Sequence, residues 1–270
     1  MRTIITSQPE DAPRSREDYA ADPAYLGQPK RDGVRCVAFA STSGVRYQSR
    51  SGASMRSPSV AIDDALSYAA YSTGECVLDC ELVWFSADGG EHRTEPQAER
   101  AGGPAVCRLC VFSALFSGGA DLREERAAAR IRAAQPIVGA CCSSSVELVP
   151  TAWTTVQKLA LIEQQQREGR EGEVWYRRSS TYVPGPAGED MTRTKYLSET
   201  DCIIVSISER AVDVADGSRI SRVGTGWTAA EFAALAVGQT ITIRHQGRTE
   251  TGALWHARFL RHATPCAAAA

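Results

Sequence analysis

The stretch Val77-Leu78-Asp79-Cys80-Glu81-Leu82-Val83 places two acidic residues inside an otherwise apolar run. A short apolar run of this length predicts a buried β-strand. A carboxylate is costly to bury unless it is paired with another group or used in function. Any fold that contains this strand must therefore supply partners or a task for Asp79 and Glu81.

Other apolar runs predict further strands in the first two thirds of the chain. Val34–Ala40 and Val45–Ser51 form a predicted hairpin around the turn Thr42-Ser43-Gly44. Val106–Leu115 is predicted to be another inner strand, and Val146–Thr151 a short one.

Between these strands, apolar residues recur at helical spacing. We predict one helix around residues 62–69, which Gly74 closes, and two more at Asp121–Ala134 and Thr154–Glu168. Met1–Ala24 lacks apolar periodicity, so we predict a mostly irregular segment there. Ala87–Gly103 is rich in Gly, Glu and Arg and predicts a polar loop.

The composition changes near Ser198, where we predict a domain boundary. Beyond it we predict one helix, Thr228–Val237, which begins with a capping box and is closed by Gly238. Five or so strands around a single helix are typical of a small Greek-key barrel of the OB type. We therefore expect an α+β chain, with one domain at residues 1–198 and an OB-fold barrel at residues 199–270. The predicted strands include Ile203–Ser208, Arg219–Gly224, Thr240–His245 and Ala253–Leu260.

Lysine is rare in this chain, which has 30 basic residues but lysine only at Lys30, Lys158 and Lys195. Arginine is as good as lysine or better for surface charge and phosphate pairing, but it cannot lose its proton and attack. A lysine retained in such a chain is therefore a candidate nucleophile. Lys158 lies among helix-forming residues, and we expect it on a solvated helix face without a function.

The other two lysines lie in short motifs that follow one another along the chain. Lys30-x-Asp32-Gly33-x-Arg35 comes first, and Arg193-Thr194-Lys195 comes much later. Alternation along a strand sends Arg193 and Lys195 to the same face. The motifs between and after them are Ser49-Arg50-Ser51-Gly52, Asp79-Cys80-Glu81, Phe112, Glu171-Gly172-Glu173-Val174 and the segment that ends in Arg261.

In this order, the motifs resemble those of ATP-dependent DNA ligases, in a superfamily that also holds RNA ligases and mRNA-capping guanylyltransferases. The resemblance extends from Tyr25 to Arg261, and the two-domain length is most similar to the small bacteriophage ligases. It implies a nucleotidyltransferase (adenylation) domain with antiparallel sheets and flanking helices, followed by the OB-fold domain. It also implies that ATP, Mg2+ and nicked duplex DNA are bound, in DNA replication, repair and recombination.

The resemblance implies a role for each motif residue. Lys30 would attack ATP and carry AMP, with Asp32 and Lys195 as further catalytic residues. The implied nucleotide-binding residues are Gln28, Lys30, Arg35, Arg50, Glu81, Phe112, Arg193, Lys195 and Arg261. Among them Arg35, with Asp32, would organise the lysine loop and the ribose. Glu81 would bind the ribose, and Phe112 would stack on adenine. The phosphates would be held by Arg50, Arg193 and Lys195, and the pyrophosphate would be oriented by Arg261. Glu171 would hold the metal ion.

Of the positions that depart from the family's usual pattern, three bear on whether the protein is catalytically active. Cys80 replaces a glycine, Ser113 an aspartate and Tyr176 a lysine, whose charge Arg177 or Arg178 would supply. Because of these departures, one alternative is a relative that binds nucleic acid but is catalytically inactive. An RNA ligase or a capping guanylyltransferase is another, although Asp-Gly-x-Arg after the lysine and a terminal OB barrel favour a DNA ligase over an RNA ligase.

Composition sets the remaining expectations. The net charge of −2 offers no bulk attraction to nucleic acid, so DNA binding has to depend on a local basic surface. No apolar run is long enough to span a membrane. The nine cysteines contain one Cys-x-x-Cys pair, Cys107 and Cys110, and no second pair at zinc-finger spacing. We therefore expect reduced structural thiols in a monomer of the cytoplasm, or of the host cytoplasm if a phage encodes the chain.

Overall fold

The chain divides into two compact units, Met1–Thr194 and Lys195–Ala270. The computed structural model describes residues 3–217, 219–249 and 251–263. The predicted boundary near Ser198 lies at the first residue of the first long strand of the second unit. No helix in these described ranges is long and apolar enough to cross a membrane.

The first unit contains short and long strands with five α-helices among its described residues. Its strands are β1 (Ser7–Gln8), β2 (Glu10–Asp11), β3 (Tyr25–Pro29), β4 (Val34–Ser41), β5 (Gly44–Ser49), β6 (Ser54–Met55), β7 (Cys76–Phe85), β8 (Glu91–His92), β9 (Val106–Ser117), β10 (Ala120–Asp121), β11 (Val146–Leu148), β12 (Gly172–Arg177), β13 (Gly185–Pro186) and β14 (Met191–Lys195), which ends one residue beyond the unit. Its helices are α1 (Arg16–Ala21), α2 (Val60–Thr73), α3 (Glu95–Gly102), α4 (Ala127–Cys141) and α5 (Thr155–Arg167), with a 3-10 turn at Gly188–Asp190.

The larger sheet of this unit has the strand order β10-β9-β7-β4-β5-β6, with β8 and β11 paired to β7 and β9. Helices α2 and α4 supply Leu66 and Ile137 to a buried cluster that also takes Leu78 and Cys80 from β7. Successive side chains of a strand point to opposite faces. Asp79 and Glu81 therefore project from the face of β7 that the helices do not cover.

The smaller sheet has the order β2-β14-β12-β3. Its fully buried Trp175 stacks on Tyr19 of α1 with 5.7 Å between the ring centroids. Ile162 of α5 belongs to the same cluster, so α1 and α5 cover one face of this sheet. Gly27 is required in β3 because a Cβ there would lie 2.7 Å from the Trp175 ring.

The second unit is one antiparallel sheet with a short helix. Its strands are β15 (Ser198–Ile207), β16 (Val212–Asp216), β17 (Arg219–Val223), β18 (Thr240–His245) and β19 (Arg258–His262), and its helix is α6 (Ala229–Ala233). They pair in the order β17-β16-β15-β18-β19 around a core that includes Ile204, Val214, Ile241 and Phe259.

The segment Met1–Ala24, predicted to be mostly irregular, contains the short strands β1 and β2 and the helix α1, which begins with a capping box of Ser15 and Asp18. Two predictions on the elements of the chain are wrong, for identifiable reasons. Glu95–Gly102 forms α3 within the predicted polar loop. The helix expected from Asp121 begins only at Ala127, since the Asp121 carboxylate accepts the Arg123 amide and makes a turn. In the second unit, β16 was not predicted, and α6 is shorter than expected.

The prediction for Lys158 is also wrong. Its side chain is fully buried, and its ammonium donates to the carbonyl oxygens of Tyr19, Asp22 and Tyr25 at 3.0, 2.6 and 3.2 Å. These carbonyls belong to the end of α1 and the start of β3, where carbonyl groups lack helical partners. Burial lowers the pKa of Lys158. The residue is thus an internal cap that fixes α5 against the segment leading into β3.

Replacing Lys158 with Met should lower the free energy of unfolding by about 2–5 kcal/mol, because three carbonyl oxygens lose a charged, buried donor. Lys158→Arg should also destabilise, since a planar guanidinium does not fit the space of a compact ammonium. Urea unfolding measures both effects. Glu163→Gln, on the exposed side of α5, is the control and should stay within about 0.5 kcal/mol of the parent. An unchanged midpoint for Lys158→Met would contradict the buried cap.

Candidate active site

Lys30 lies at the start of the loop that joins β3 to β4. Its Nζ is 2.5 Å from Oε2 of Glu171, and both side chains are largely buried, at 15% and 9% exposure. Glu171 directly precedes β12, the antiparallel neighbour of β3, and the Lys30 amide donates to the Gly172 carbonyl at 2.9 Å. Backbone pairing therefore brings together two residues that are far apart in the sequence.

Gly33 allows the loop to pass close to β7. A Cβ at this position would lie 2.3 Å from the carbonyl oxygen of Leu82, a distance that no side chain tolerates. The Asp32 carboxylate in the same loop accepts a hydrogen bond from Arg93 Nε at 2.9 Å. Arg93 thus binds the loop through Asp32, and the lack of a side chain at Gly33 allows the loop to lie against the sheet.

Arg35 supplies the partner that Asp79 requires. Its Nε and Nη2 donate to the two carboxylate oxygens of Asp79, each at 2.7 Å, in a bidentate pair across β4 and β7. The Arg35 guanidinium also lies over the Phe112 ring, 4.5 Å from its centroid. The sequence predicts that Asp79 is a buried acid that needs a partner, but it does not predict that Asp79 contributes to the site.

Glu81 lies directly opposite Arg35 in the β4–β7 pairing. Burial raises the pKa of Glu81 to about 7, although the positive charges of Arg35 and Lys30 act in the opposite direction. A carboxylate with this pKa changes its charge close to neutral pH. Lys30, Arg35, Glu81 and Glu171 thus form one cluster of charged groups on the uncovered face of the sheet.

Phe112 occupies an irregular point of β9. Asp79 pairs with Ser113 and Cys80 pairs with Val111, so Phe112 is an extra residue in the β7–β9 pairing. Such a bulge re-aims a side chain and is common beside active sites. The bulge brings Phe112 next to Arg35, and it could not be recognised from the sequence.

Gln28 lies just before Lys30 on β3 and is fully buried. Its Nε2 donates to the Phe112 carbonyl at 3.3 Å and to Thr151 Oγ1 at 2.9 Å. Among the residues that the structure describes, its Oε1 has no hydrogen-bond partner. A buried carboxamide oxygen without a donor is uncommon in proteins, and it is suited to accept a hydrogen bond from a ligand.

Other predicted site residues contact different groups. Arg50 is exposed in the turn after β5. Arg193 Nε donates to Asp11 at 2.7 Å, and Lys195 ends the same strand, β14. Arg261, in the second unit, pairs with Glu199 at 2.9 Å.

Tyr176 does not carry the charge that its position has in many relatives, and its hydroxyl is buried without a partner among the described residues. Arg177 binds Asp190 at 3.0 Å, and Arg178 donates to the Trp153 carbonyl. Both guanidiniums are therefore engaged elsewhere, and the expectation that they supply the missing charge is not supported.

The cysteines in the described part of the chain form no disulfide with one another. Eight cysteines lie within the described residues and are free thiols, while Cys266 lies outside those residues. Cys80 is fully buried in the helix-covered core, where a thiol replaces the family's glycine without reaching the site. In the described part of the chain, no group of three or more His, Cys, Asp or Glu residues forms a metal cluster.

Replacing Glu81 with Gln should stabilise the protein increasingly as pH rises from about 5 to 8. Between the usual Glu pKa of 4.5 and the raised value of about 7, the unfolded chain loses the proton that the folded chain keeps. The parent therefore loses stability as pH rises through this window, whereas a neutral Gln does not. The difference in Tm between the two proteins, measured across this range, tests the effect. Parallel Tm profiles would contradict the raised pKa.

Comparison with known proteins points to one family. The model of the ATP dependent DNA ligase domain matches residues 19–195, well over half of the chain. No curated protein matches the chain in sequence.

Solved structures of DNA ligases have a similar fold. A Lig E DNA ligase, described as binding DNA with a minimal scaffold, is 16% identical with a TM-score of 0.68, over 97% of this chain and 100% of that chain. A mycobacterial DNA ligase D complexed with ATP and MES is 18% identical with a TM-score of 0.60, over 97% and 96% of the two chains. The ATP-dependent DNA ligase from bacteriophage T7 in complex with ATP is 15% identical with a TM-score of 0.50, over 96% and 98%.

Identities this low show only that the fold is shared, whereas the family match extends from α1 to the end of β14. That span contains Lys30, Arg35, Glu81, Phe112 and Glu171, which the structure brings together. The chain belongs to the ATP-dependent DNA ligase family.

Proposed function

We propose that this ATP-dependent DNA ligase attaches AMP to Lys30 and uses it to seal nicks between a 5′-phosphate and a 3′-hydroxyl. The observation that carries the proposal is the position of Lys30 Nζ, 2.5 Å from Glu171, in a cluster of charged groups that also contains Arg35 and Glu81. Membership of the DNA ligase family favours this substrate over RNA and over an mRNA cap.

The first step needs Lys30 in its neutral form. The Nζ lone pair forms a bond to the α-phosphorus of ATP, the bond to the bridging oxygen breaks, and pyrophosphate leaves with that electron pair. Nζ gives up a proton, and the Glu171 carboxylate is an acceptor within hydrogen-bond reach. A 5′-phosphate oxygen of the nick then takes AMP from Lys30, and the 3′-hydroxyl displaces AMP to close the strand.

The residues present fit a magnesium ion. Mg2+ is usually held by one or two carboxylates together with substrate phosphates and water, rather than by a dedicated protein cage. Glu171, with Glu81 close by, offers such a carboxylate next to Lys30. In this proposal Glu171 would hold the ion, and the ion would neutralise charge on the phosphates.

The adenosine part of ATP would lie against β4, β7 and β9. Arg35 and Glu81 would bind the ribose, and Phe112 would stack on adenine with the ring face that Arg35 does not cover. The Oε1 atom of Gln28 would accept a hydrogen bond from the exocyclic amino group of adenine. Guanine has a carbonyl oxygen at that position and would meet Gln28 acceptor to acceptor.

The second unit is proposed to be the OB-type barrel. Its strand order, β17-β16-β15-β18-β19, is the order of a five-stranded barrel opened between its third and fifth strands. The Phe259 amide donates to the Thr225 carbonyl at 2.9 Å, so β19 approaches the segment that follows β17. These contacts support closure of the sheet at that point.

The remaining roles concern phosphates and DNA. Arg50, Arg193 and Lys195 are proposed to hold phosphates, and Arg261 to orient the pyrophosphate. Arginines of both units would bind the backbone of nicked duplex DNA, which carries no sequence preference. In this proposal the protein acts as a monomer in the cytoplasm, or in the host cytoplasm if a bacteriophage encodes it.

Lys30→Arg should abolish formation of the AMP adduct and sealing of a 5′-phosphorylated nick, because a guanidinium stays protonated at any working pH. Mass spectrometry of the protein after incubation with ATP and Mg2+ measures the adduct. Glu163→Gln is the control and should form the adduct as the parent does. An AMP adduct on Lys30→Arg would show that another residue is the nucleophile.

Gln28→Leu should lower the preference for ATP over GTP in adduct formation by about tenfold, the equivalent of one lost neutral hydrogen bond. The ratio of initial adduct rates with the two nucleotides at low concentration measures the preference. Thr151→Val is the matched control, because it removes a partner of Nε2 and leaves Oε1 in place. An unchanged ratio for Gln28→Leu would remove Gln28 from adenine recognition.

A further inference from the structure

Glu91 is a largely buried glutamate in the short strand β8, and nothing in the sequence marks it as functional. Its side chain is 7% exposed. Oε1 is 2.5 Å from Nη1 of Arg31 and 3.6 Å from Nη1 of Arg170. Oε2 accepts the backbone amide of Asp32 at 3.0 Å. One carboxylate therefore binds two guanidiniums and one amide group.

Each of these partners lies beside a residue of the proposed reaction. Arg31 and Asp32 directly follow Lys30, and Arg170 directly precedes Glu171. Lys30 and Glu171 are themselves in contact at 2.5 Å, although their loops come from distant parts of the chain. Glu91 thus connects the two loops at a second point, next to the reacting pair.

The two arginines that bind Glu91 also bind other residues. The second amino group of Arg31 binds Glu147 of β11 at 2.5 Å. Arg170 donates from Nη1 to the Gly89 carbonyl at 2.9 Å and from Nε to Glu168 at 3.2 Å. Loss of the Glu91 carboxylate would leave both guanidiniums partly anchored but no longer joined to each other. The expected effect is a change in the relative position of the two loops, without loss of either.

We propose that Glu91 is a positioning residue for the transfer of AMP to and from Lys30. It holds the Lys30 loop and Glu171 at one fixed separation by binding Arg31, Arg170 and the Asp32 amide together. This inference depends on the proposed function, in which Lys30 is the nucleophile. It predicts that steps at Lys30 depend on Glu91, and that a step in which Lys30 forms no bond does not.

The last step of sealing makes this distinction measurable. Once AMP is on the 5′-phosphate of the DNA, the 3′-hydroxyl attacks that phosphate and no bond to Lys30 forms or breaks. A nick that carries AMP before it is mixed with the enzyme therefore bypasses the Lys30 steps. General damage to the fold would slow both reactions, whereas a misplaced Lys30 would slow adduct formation alone.

The test uses the full chain with Glu91→Gln, which keeps the size of the side chain and an oxygen for the Asp32 amide but removes the charge. We expect the rate of AMP adduct formation at saturating ATP to fall about tenfold to a hundredfold, as for other small misplacements of reacting groups. The KM for ATP should change by less than about threefold, because Glu91 contacts none of the proposed nucleotide-binding residues. Sealing of the pre-adenylated nick should stay within about threefold of the parent.

Glu99→Gln is the matched control, because Glu99 is exposed on the nearby helix α3, and it should behave as the parent in both reactions. If Glu91→Gln does not fold, Arg170→Gln removes one of the two guanidiniums and should give the same pattern. Adduct formation at the parent rate, or equal loss in both reactions, would overturn the positioning role. Failure of the parent to form an adduct would instead overturn the proposed function.

Discussion

The bidentate pair between Arg35 and Asp79 is the interaction on which the rest of the first unit depends. It lies between two central strands, β4 and β7, and gives a buried acid the partner that it requires. Breaking such a pair leaves an uncompensated buried charge and typically costs about 3–5 kcal/mol. The same guanidinium lies against Phe112 and opposite Glu81, so the pair also fixes the positions of residues in the proposed nucleotide site. Structural and chemical demands on Arg35 cannot be separated.

The two sheets of this unit contribute different residues to the proposed site. The larger sheet supplies Arg35, Glu81 and Phe112 from long strands, and helices α2 and α4 pack against the opposite face of this sheet. The smaller sheet supplies Lys30 and Glu171 from loops at the ends of β3 and β12. Loops are less rigid than strands, and the ion pairs of Lys30 and Arg31 hold these loops in place. Lys158 adds a further support, because it fixes the start of the strand that leads to Lys30.

The sequence allowed the motif residues and most long strands to be predicted, because apolar runs and charged residues inside them are local signals. It did not reveal contacts that depend on pairing across the chain. The bulge at Phe112 arises from the register of β7 and β9, and the proposed role of Glu91 arises where strand β8 meets the two loops that carry Arg31 and Arg170. Lys158 illustrates the same limit, since helical spacing alone suggests an exposed side chain and gives no sign of the carbonyls that surround it. Asp121 shows how one side-chain hydrogen bond can override a helical composition.

The burial of Lys158 has a practical consequence for chemical labelling. Reagents that couple to primary amines find few targets in this protein, and one of its three lysines is enclosed by backbone. Among the lysine side chains, dyes or surfaces attached through amines will therefore be directed to Lys195 and to Lys30, the residue whose modification would block the proposed reaction. Attachment through sulfur avoids this problem, because Cys142 exposes its thiol at the end of α4. A maleimide probe at that thiol would leave the amines intact and report on the enzyme in its active form.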